Sequence, residues 1–550
     1  MENYEENAKA MRLMRYQEGL EYYSAMHDHE IFSFALASVF YMYISDKCVR
    51  AAVGSEEAHR VQPIEEYEKL WDEGRAEEIL KARKLPALRP EETFDSLYDS
   101  ANENHFQYSV LKRGFERIAE TEGYGIIDGF LDFDAAFLGA DEDEKNEKLG
   151  GVIQDLVSEF LRRTFNFDLH YFCAEQAERL LEGEAEYMGR RGNGFYTPGD
   201  VAELMRRLAA PDAAPGKVSV FDPVMGAGGV AAGFTKLAGA ALNEERISRG
   251  EDVGLEGHGG DAAIYFAGQD ADDRMCAAAF MNLVVHGIEP DKIKIKRGDS
   301  LQADWPSEGG VPELFDVVAF EEPFSQGWSR PRNRFERGGG RFFELAPPSR
   351  AEYAFIQHGY YHLKPGGTMA VIAPLGVLFR KWTEESIRAA FIEMNAVHAV
   401  IALPNNLFYN TPNPACLIIF KKERTEEDVL FIDAAKEFVK GKNRNSMSDS
   451  NLDRIEQIYR ERKAAAGCSA VVSREAIREN GMSLSVRRYV ESRTWESEGS
   501  AEDYLEEIGR CSREFDATFG ELVCGMRMTA RGDEEELAVE AFEKAVNEGE

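Results

Sequence analysis

The sequence predicts an α/β protein: a doubly wound, mostly parallel sheet with an antiparallel edge strand, set between a helical N-terminal domain and a helical C-terminal tail. Three observations carry this. Between residues 166 and 440 short apolar runs alternate with helical stretches, and strands that alternate with helices build a parallel sheet. The last two runs, "AVHAVIALP" and "CLIIFKK", are separated only by "NNLFYNTPNPA", too short for a crossover helix, so they pair antiparallel at one edge. On either side, in residues 1–165 and 441–550, apolar residues recur at helical spacing.

In chain order, the first strong element is the apolar run "IFSFALASVFYMYI", Ile31 to Ile44. At 14 residues it falls short of the roughly 20 that span a bilayer, so it predicts a buried helix and no membrane association. "LKRGFERIAE" and "LGGVIQDLVSEFLRRTF" follow, the latter with Val152, Leu156, Phe160 and Leu161 on one face. The acidic run Asp141 to Glu144 reads as a solvated loop. Candidate strands are "KVSVFD", "AAIYFAGQD", "IKIKRGD", "FDVVAF", "GGTMAVIAP" and the two named above. "DRMCAAAFMNLVVHG" illustrates the intervening helices, with an apolar stripe from Met275 to Val284 and Gly287 as its stop. The tail closes with the acidic amphipathic "DEEELAVEAFEKAVNEGE".

A chain of 550 residues implies two or three domains. A net charge of -35 excludes a surface that grips nucleic acid everywhere, because phosphate binding needs basic surface. Any DNA contact is therefore local or delegated. Seven dispersed cysteines, odd in number and never in a C-x-x-C pair, fit the reducing cytoplasm and no structural zinc. His358 and His362 are four apart on a helix, but no H-E-x-x-H pattern and no third ligand is in view, so no metal site is expected.

The chemistry concentrates at the strand ends, where an open α/β sheet binds ligands. The first strand runs into "FDPVMGAGGV": Gly226, Gly228 and Gly229 let the backbone turn tightly before a helix, and Asp222 precedes the turn. A carboxylate there repels a pyrophosphate and suits a cationic or amine-bearing ligand. Asp270 ends the second strand, placed to accept both hydroxyls of a ribose, and Asp299 ends the third. Each acid alone reads as a helix N-cap; three on successive tips beside a glycine-rich turn point to a site. The fourth strand, in "LFDVVAFEEPFSQGW", ends in two adjacent acids, Glu321 and Glu322.

Several dispersed motifs, in order, resemble the modification subunits of type I restriction-modification systems, within the amino-group N6-adenine DNA methyltransferases. They are "GRRGNGFYTPGDVAELM", "FDPVMGAGG", "AEYAFIQHGYYHLKPGGTMAVIAPLGVLFR", "IALPNNLFYNTPNPACLIIFKK" and "SLSVRRYV". The resemblance implies a Rossmann-like S-adenosylmethionine-dependent methyltransferase sheet. Phe195, Tyr196, Thr197 and Pro198 would cover the methionine end of that cofactor. Asp222 and the turn from Gly226 through Gly228 to Gly229 would hold its amino-acid part, Asp270 its ribose, and Asp299 with Ser300 its adenine. It also implies DNA as substrate, a separate specificity subunit that reads the DNA, and a restriction subunit in the same complex.

One motif departs from the family. Where the family has N-P-P-F, this chain has Glu321, Glu322, Pro323 and Phe324. The adenine amine is a poor nucleophile, so its base must be flipped out, stacked on an aromatic and relieved of amine hydrogens by acceptors. Glu321 keeps a carboxylate one methylene too long, and Phe324 keeps the stacking face. The departure leaves two readings: an enzyme with an altered motif, or a non-catalytic scaffold that keeps fold and partners. The following "SRPRNRFERGGGR" offers Arg330, Arg332, Arg334, Arg337 and Arg341 as phosphate contacts.

Overall fold

A computed structural model describes residues 28–54, 64–131, 141–161, 169–189, 196–209, 218–235, 264–324, 326–330, 340–409 and 411–490. These belong to the first of two units, residues 1–490. The expected closing amphipathic helix lies outside the described residues.

The N-terminal region is helical: α1 Asp28–Val53, α2 Ile64–Asp72, α3 Arg75–Ala82, α4 Phe94–Asn102, α5 Tyr108–Glu120, α6 Glu142–Leu161 and α7 Leu169–Gly189. α1 contains the apolar run and extends beyond it at both ends. Leu36, Val39, Phe40, Tyr41 and Ile44 are wholly buried, as in a core helix that is apolar on all sides. Among the described residues no helix is long and apolar enough to cross a membrane. The acids read as a loop instead start α6: Asp141 Oδ1 accepts the Glu144 amide at 2.9 Å, and Glu142, Asp143 and Glu144 fill the first turn, where carboxylates stabilise the helix dipole.

After α8 Gly199–Ala209 come β1 Val218–Asp222, β2 Ile264–Asp270, α9 Asp273–Val285, β3 Ile293–Arg297, the short β4 Ser307–Glu308 and β5 Val311–Pro312, and β6 Phe315–Glu321. α10 Glu352–Tyr361, β7 Leu363–Pro374, α11 Thr383–Glu393, β8 Val397–Ala402, β9 Ala415–Lys421 and β10 Val429–Asp433 follow, then α12 Asp449–Glu461, β11 Ser469–Val472 and α13 Arg474–Glu479. Among the described residues nine strands form one sheet in the order β11-β10-β8-β9-β7-β6-β1-β2-β3. β9 is antiparallel to both β7 and β8. The short loop thus forces the antiparallel pairing as expected, but β9 slots inside the sheet. The antiparallel edge strand is β11, paired with β10. Residues 441–490, read as the start of a helical tail, return to the sheet: β11 extends it, and Leu452 and Ile455 of α12 pack beside Leu430 and Ile432.

Two apolar layers sandwich the sheet. α8, α9 and α12 cover one face; α10 and α11 cover the other. β6 is deeply held, with Phe315, Val317, Val318, Ala319 and Phe320 all at zero exposure. Burial of each of the larger of these side chains stabilises by roughly 1.5–3 kcal/mol, so the end of β6 is a rigid place from which to present Glu321. The N-terminal helices join through α9, where Phe280 meets Phe40 and Tyr124 edge-on.

Candidate functional site

β6, β1, β2 and β3 lie side by side and parallel, and the sheet is wound outward in both directions from β1 and β6. Their carboxyl ends open a cleft of about 300 Å³, where a doubly wound sheet places its ligand. Tyr196, Thr197, Asp222, Gly226, Asp270, Asp299, Ser300, Glu321, Glu322 and Pro323 line it.

The glycine turn is built from its own sequence. Asp222 Oδ1 accepts the Val224 amide at 2.9 Å, while Gly226 and Gly228 take φ of 52° and 78°, the left-handed region that favours glycine. Gly226 donates its amide to Asp270 Oδ2 at 3.1 Å, and Asp272 donates to Oδ1 at 2.9 Å. Asp270 is thereby held by backbone donors. Asp299 Oδ1 accepts the Leu301 amide at 2.9 Å.

The segment 196–198 folds over this turn. A Cβ on Gly229 would lie 2.9 Å from Tyr196 Cε2 and 3.1 Å from the Thr197 carbonyl; glycine at 229 is what lets the two motifs touch. Thr197 Oγ1 then donates to Glu321 Oε2 at 2.8 Å. Gly228, Gly229 and Pro198 serve behind the wall. Gly228 backs onto Ala279, and the Pro198 carbonyl accepts the Ala202 amide at the start of α8. Phe195 lies outside the described residues.

The electrostatics are those of an anionic cleft. Burial raises the Asp222 carboxyl well above the carboxylate range, with Asp270 and Glu321 adding to it. Burial also raises Asp270 and pushes Glu321 up to about 7 against the Thr197 hydrogen bond. No lysine or arginine lines the cleft among the described residues. Desolvated acids without a cation disfavour a phosphate ligand and favour an ammonium or sulfonium one.

Glu322 faces away from its neighbour. Both its oxygens are buried without a hydrogen-bond partner, and burial, then the Glu352 charge, raises its carboxyl well above the usual range. Glu352 is itself paired with Arg380 at 3.1 Å. An unsatisfied buried acid costs stability. Glu322→Met should therefore stabilise the protein by about 1–3 kcal/mol at pH 8 in chemical denaturation; an unchanged or lower midpoint would contradict the orphan assignment.

Phe324 meets Phe408 edge-on at 5.9 Å. Phe355, Tyr409, Met275 and Gln326 also line the cleft and escaped the sequence reading. Phe355 and Tyr409 stand inside quoted motifs that carry no assigned role at the site. The Arg444 guanidinium lies 4.9 Å over the Tyr409 ring.

The arginine segment divides. Arg332, Arg334 and Arg337 lie outside the described residues. Arg330 donates to the carbonyls of Ala346 and Leu345 at 2.7 and 2.9 Å, which ties down the segment's start. Arg341 is not the surface phosphate contact the sequence suggested. It is buried, with Nε donating to His358 Nδ1 at 3.0 Å and Nη2 to the Ser300 carbonyl. The fold also supplies a third residue to the two histidines: ligand atoms of Asp304, His358 and His362 lie within 4.8 Å of one another. Because Arg341 donates to His358 Nδ1, the neutral ring carries its proton on Nε2, the atom a metal would need bare. Arg341 bonds His358 and Asp304 meets His362, while His358 Nε2 is buried without a hydrogen-bond partner among the described residues.

The N-6 DNA Methylase family model matches residues 172–498. This chain belongs to that family. The chain is 28% identical over 494 residues to the type I restriction enzyme MpnII methylase subunit of Mycoplasma pneumoniae, covering 84% of this chain and 85% of that one. It is 27% identical over 379 residues to the MjaVIII methylase subunit of Methanocaldococcus jannaschii, covering 66% and 61%. The crystal structure of a type I restriction-modification methyltransferase subunit from Streptococcus thermophilus superposes with a TM-score of 0.71 at 32% identity, covering 85% of this chain and 96% of that one. The family and the methyltransferase fold expected from the motifs are both borne out.

Proposed function

We propose that this N-6 DNA methylase is the modification subunit of a cytoplasmic type I complex, transferring a methyl group to adenine N6 in DNA read by a separate specificity subunit, with a restriction subunit as further partner. The observation that carries the catalytic reading is the Thr197–Glu321 hydrogen bond. It joins the segment over the glycine turn to the altered motif and aims the motif's first side chain into the cleft.

S-adenosylmethionine fits this cleft because its ammonium and sulfonium charges meet Asp222, Asp270, Asp299 and Glu321 with no cation among the described lining residues. It supplies an electrophilic methyl group; the rest is asked of the chain. Asp222 and the Gly226 turn would hold the amino-acid end, Asp270 the ribose, Asp299 and Ser300 the adenine, with Tyr196 and Thr197 as the cover. Glu321 Oε2 is committed to Thr197, and Oε1 makes no hydrogen bond among the described residues. Oε1 is therefore the acceptor for one hydrogen of the target amine, and unlike the amide of an asparagine it can also take the proton the amine must lose. The Glu322 carbonyl is the second acceptor.

Phe324, against Phe408, is the stacking face for a flipped base. Phe324→Ala should lower methyl transfer at least tenfold while leaving cofactor affinity within about twofold, since base stacking is worth about 1–3 kcal/mol; calorimetry beside a labelled-methyl assay checks both halves. The reading as a whole is tested by co-expressing a specificity subunit and assaying labelled-methyl transfer to DNA. Cofactor binding without transfer would favour the scaffold, and absence of binding would sink the cofactor assignment.

A further inference from the structure

β3 is the weak member of the four strands that form the cleft. Among the described residues it is the sheet's outer strand, paired only with β2, five residues long, with none of them buried. Yet its tip carries Asp299 and Ser300 into the cleft wall. The sheet holds the tip through the Gly298 amide, which donates to the Asp270 carbonyl at 2.7 Å; beyond Gly298 the support comes from outside the sheet.

The buried cluster beneath supplies it at two points. Arg341 donates to the Ser300 carbonyl and to His358. Asp304, just beyond the tip, meets His362 Nε2 at 3.1 Å, and His362 Nδ1 donates to the Glu313 carbonyl at 2.8 Å. His358 and the cleft-lining Phe355 belong to α10, so the cluster fixes the β3 tip relative to an element already in the site. A guanidinium taken out of water is tolerated only where its donors are matched, and its planar fork holds two acceptors in fixed relation; the Arg341 guanidinium also lies 4.7 Å over the Phe342 ring.

We infer that Arg341 is a positioning residue for cofactor binding, clamping the β3 tip with Asp299 and Ser300 to α10 and so fixing the wall that would receive the adenosine end. This rests on the cofactor reading above.

The test is calorimetric titration of S-adenosylhomocysteine and of adenosine into the full chain. Arg341→Met should weaken both ligands by the same factor, about tenfold to a hundredfold, as expected for losing a charged hydrogen bond. Arg341→Lys should restore part of it, because one ammonium donor reaches the Ser300 carbonyl. In turnover, KM for the cofactor should rise with kcat unchanged, a split that general destabilisation does not give. A folded Arg341→Met that binds both ligands within twofold of the parent overturns the assignment. Should that variant not fold, His358→Gln, which keeps an acceptor, and His358→Phe, which does not, decide: weaker binding by the second alone supports the clamp, and equal binding overturns it. A parent chain that binds neither ligand removes the cofactor reading and the clamp with it, an outcome distinct from equal binding by parent and variants.

Discussion

On the proposed reading, methyl transfer assayed with a co-expressed specificity subunit should climb about fivefold from pH 6 to pH 7, gain about twofold more by pH 8 and level off there, because a base that titrates near 7 is about one-tenth deprotonated one pH unit below and half deprotonated at 7. Burial in the cleft pushes Glu321 up to about 7; the groups facing it are the Thr197 hydroxyl and, across the cleft, the carboxyls of Asp222 and Asp270. Glu321→Gln keeps the shape and the acceptor but takes no proton, so it should flatten the profile and lower the plateau by about 10²–10⁴. Single-turnover rates from pH 5.5 to 8.5 read both. A parent profile flat across that range, with the glutamine variant equally active, would remove Glu321 from proton transfer.

The same substitution should move stability the other way. A carboxyl whose folded pKa lies near 7, against about 4.3 unfolded, leaves stability intact below the unfolded value and erodes it as pH rises to the folded one. Glu321→Gln should therefore gain up to about 3 kcal/mol at pH 8 and nothing at pH 4. Lower activity with higher stability is what a residue kept for chemistry gives.

What the sequence discloses here, it discloses through local chemistry. Asp222, Asp270 and Glu321 are legible because each ends an apolar run, and Asp299 because it follows the alternating "IKIKR"; a strand's end in such a sheet is a fixed place. Gly229 was legible as turn composition, though not as the contact that seats Tyr196. Arg341 misled because arginines amid glycines read as surface; its burial depends on the Ser300 carbonyl and on His358, 41 and 17 residues away. Asp304 was invisible as the partner of His362 for the same reason, lying 58 residues off. The inner position of β9 was also beyond reach: loop length sets pairing direction, but the place of a pair within a sheet is set by strands elsewhere. β11, "SAVV", is too short to stand out from buried loop, and β10, "VLFID", follows β9 with no helix between them, so it breaks the alternation by which the other strands are read.

Gly229→Val should abolish cofactor binding, and even Gly229→Ala should lower methyl transfer by about 100-fold. The cause is steric. Gly229 does not take a positive φ, unlike Gly226 and Gly228, so backbone strain does not enter. A Cβ there meets Tyr196 Cε2 at 2.9 Å and the Thr197 carbonyl at 3.1 Å, and neither yields easily: the Tyr196 ring is buried and the carbonyl is backbone. The 196–198 segment must lift instead, which separates Thr197 Oγ1 from Glu321 Oε2, now 2.8 Å apart. Displacement of a reacting group by about 1 Å is worth about 100-fold in rate, while overpacking costs about 1–3 kcal/mol of stability, so the loss of function should far exceed the loss of fold. Gly183→Ala is the control: it sits in α7 with nothing within 4 Å of its Cβ and should leave binding intact while stabilising the helix by up to about 1 kcal/mol. If Gly229→Val binds S-adenosylhomocysteine within tenfold of the parent, the cover does not rest on the turn as described, and the Thr197–Glu321 hydrogen bond loses its claim to organise the site.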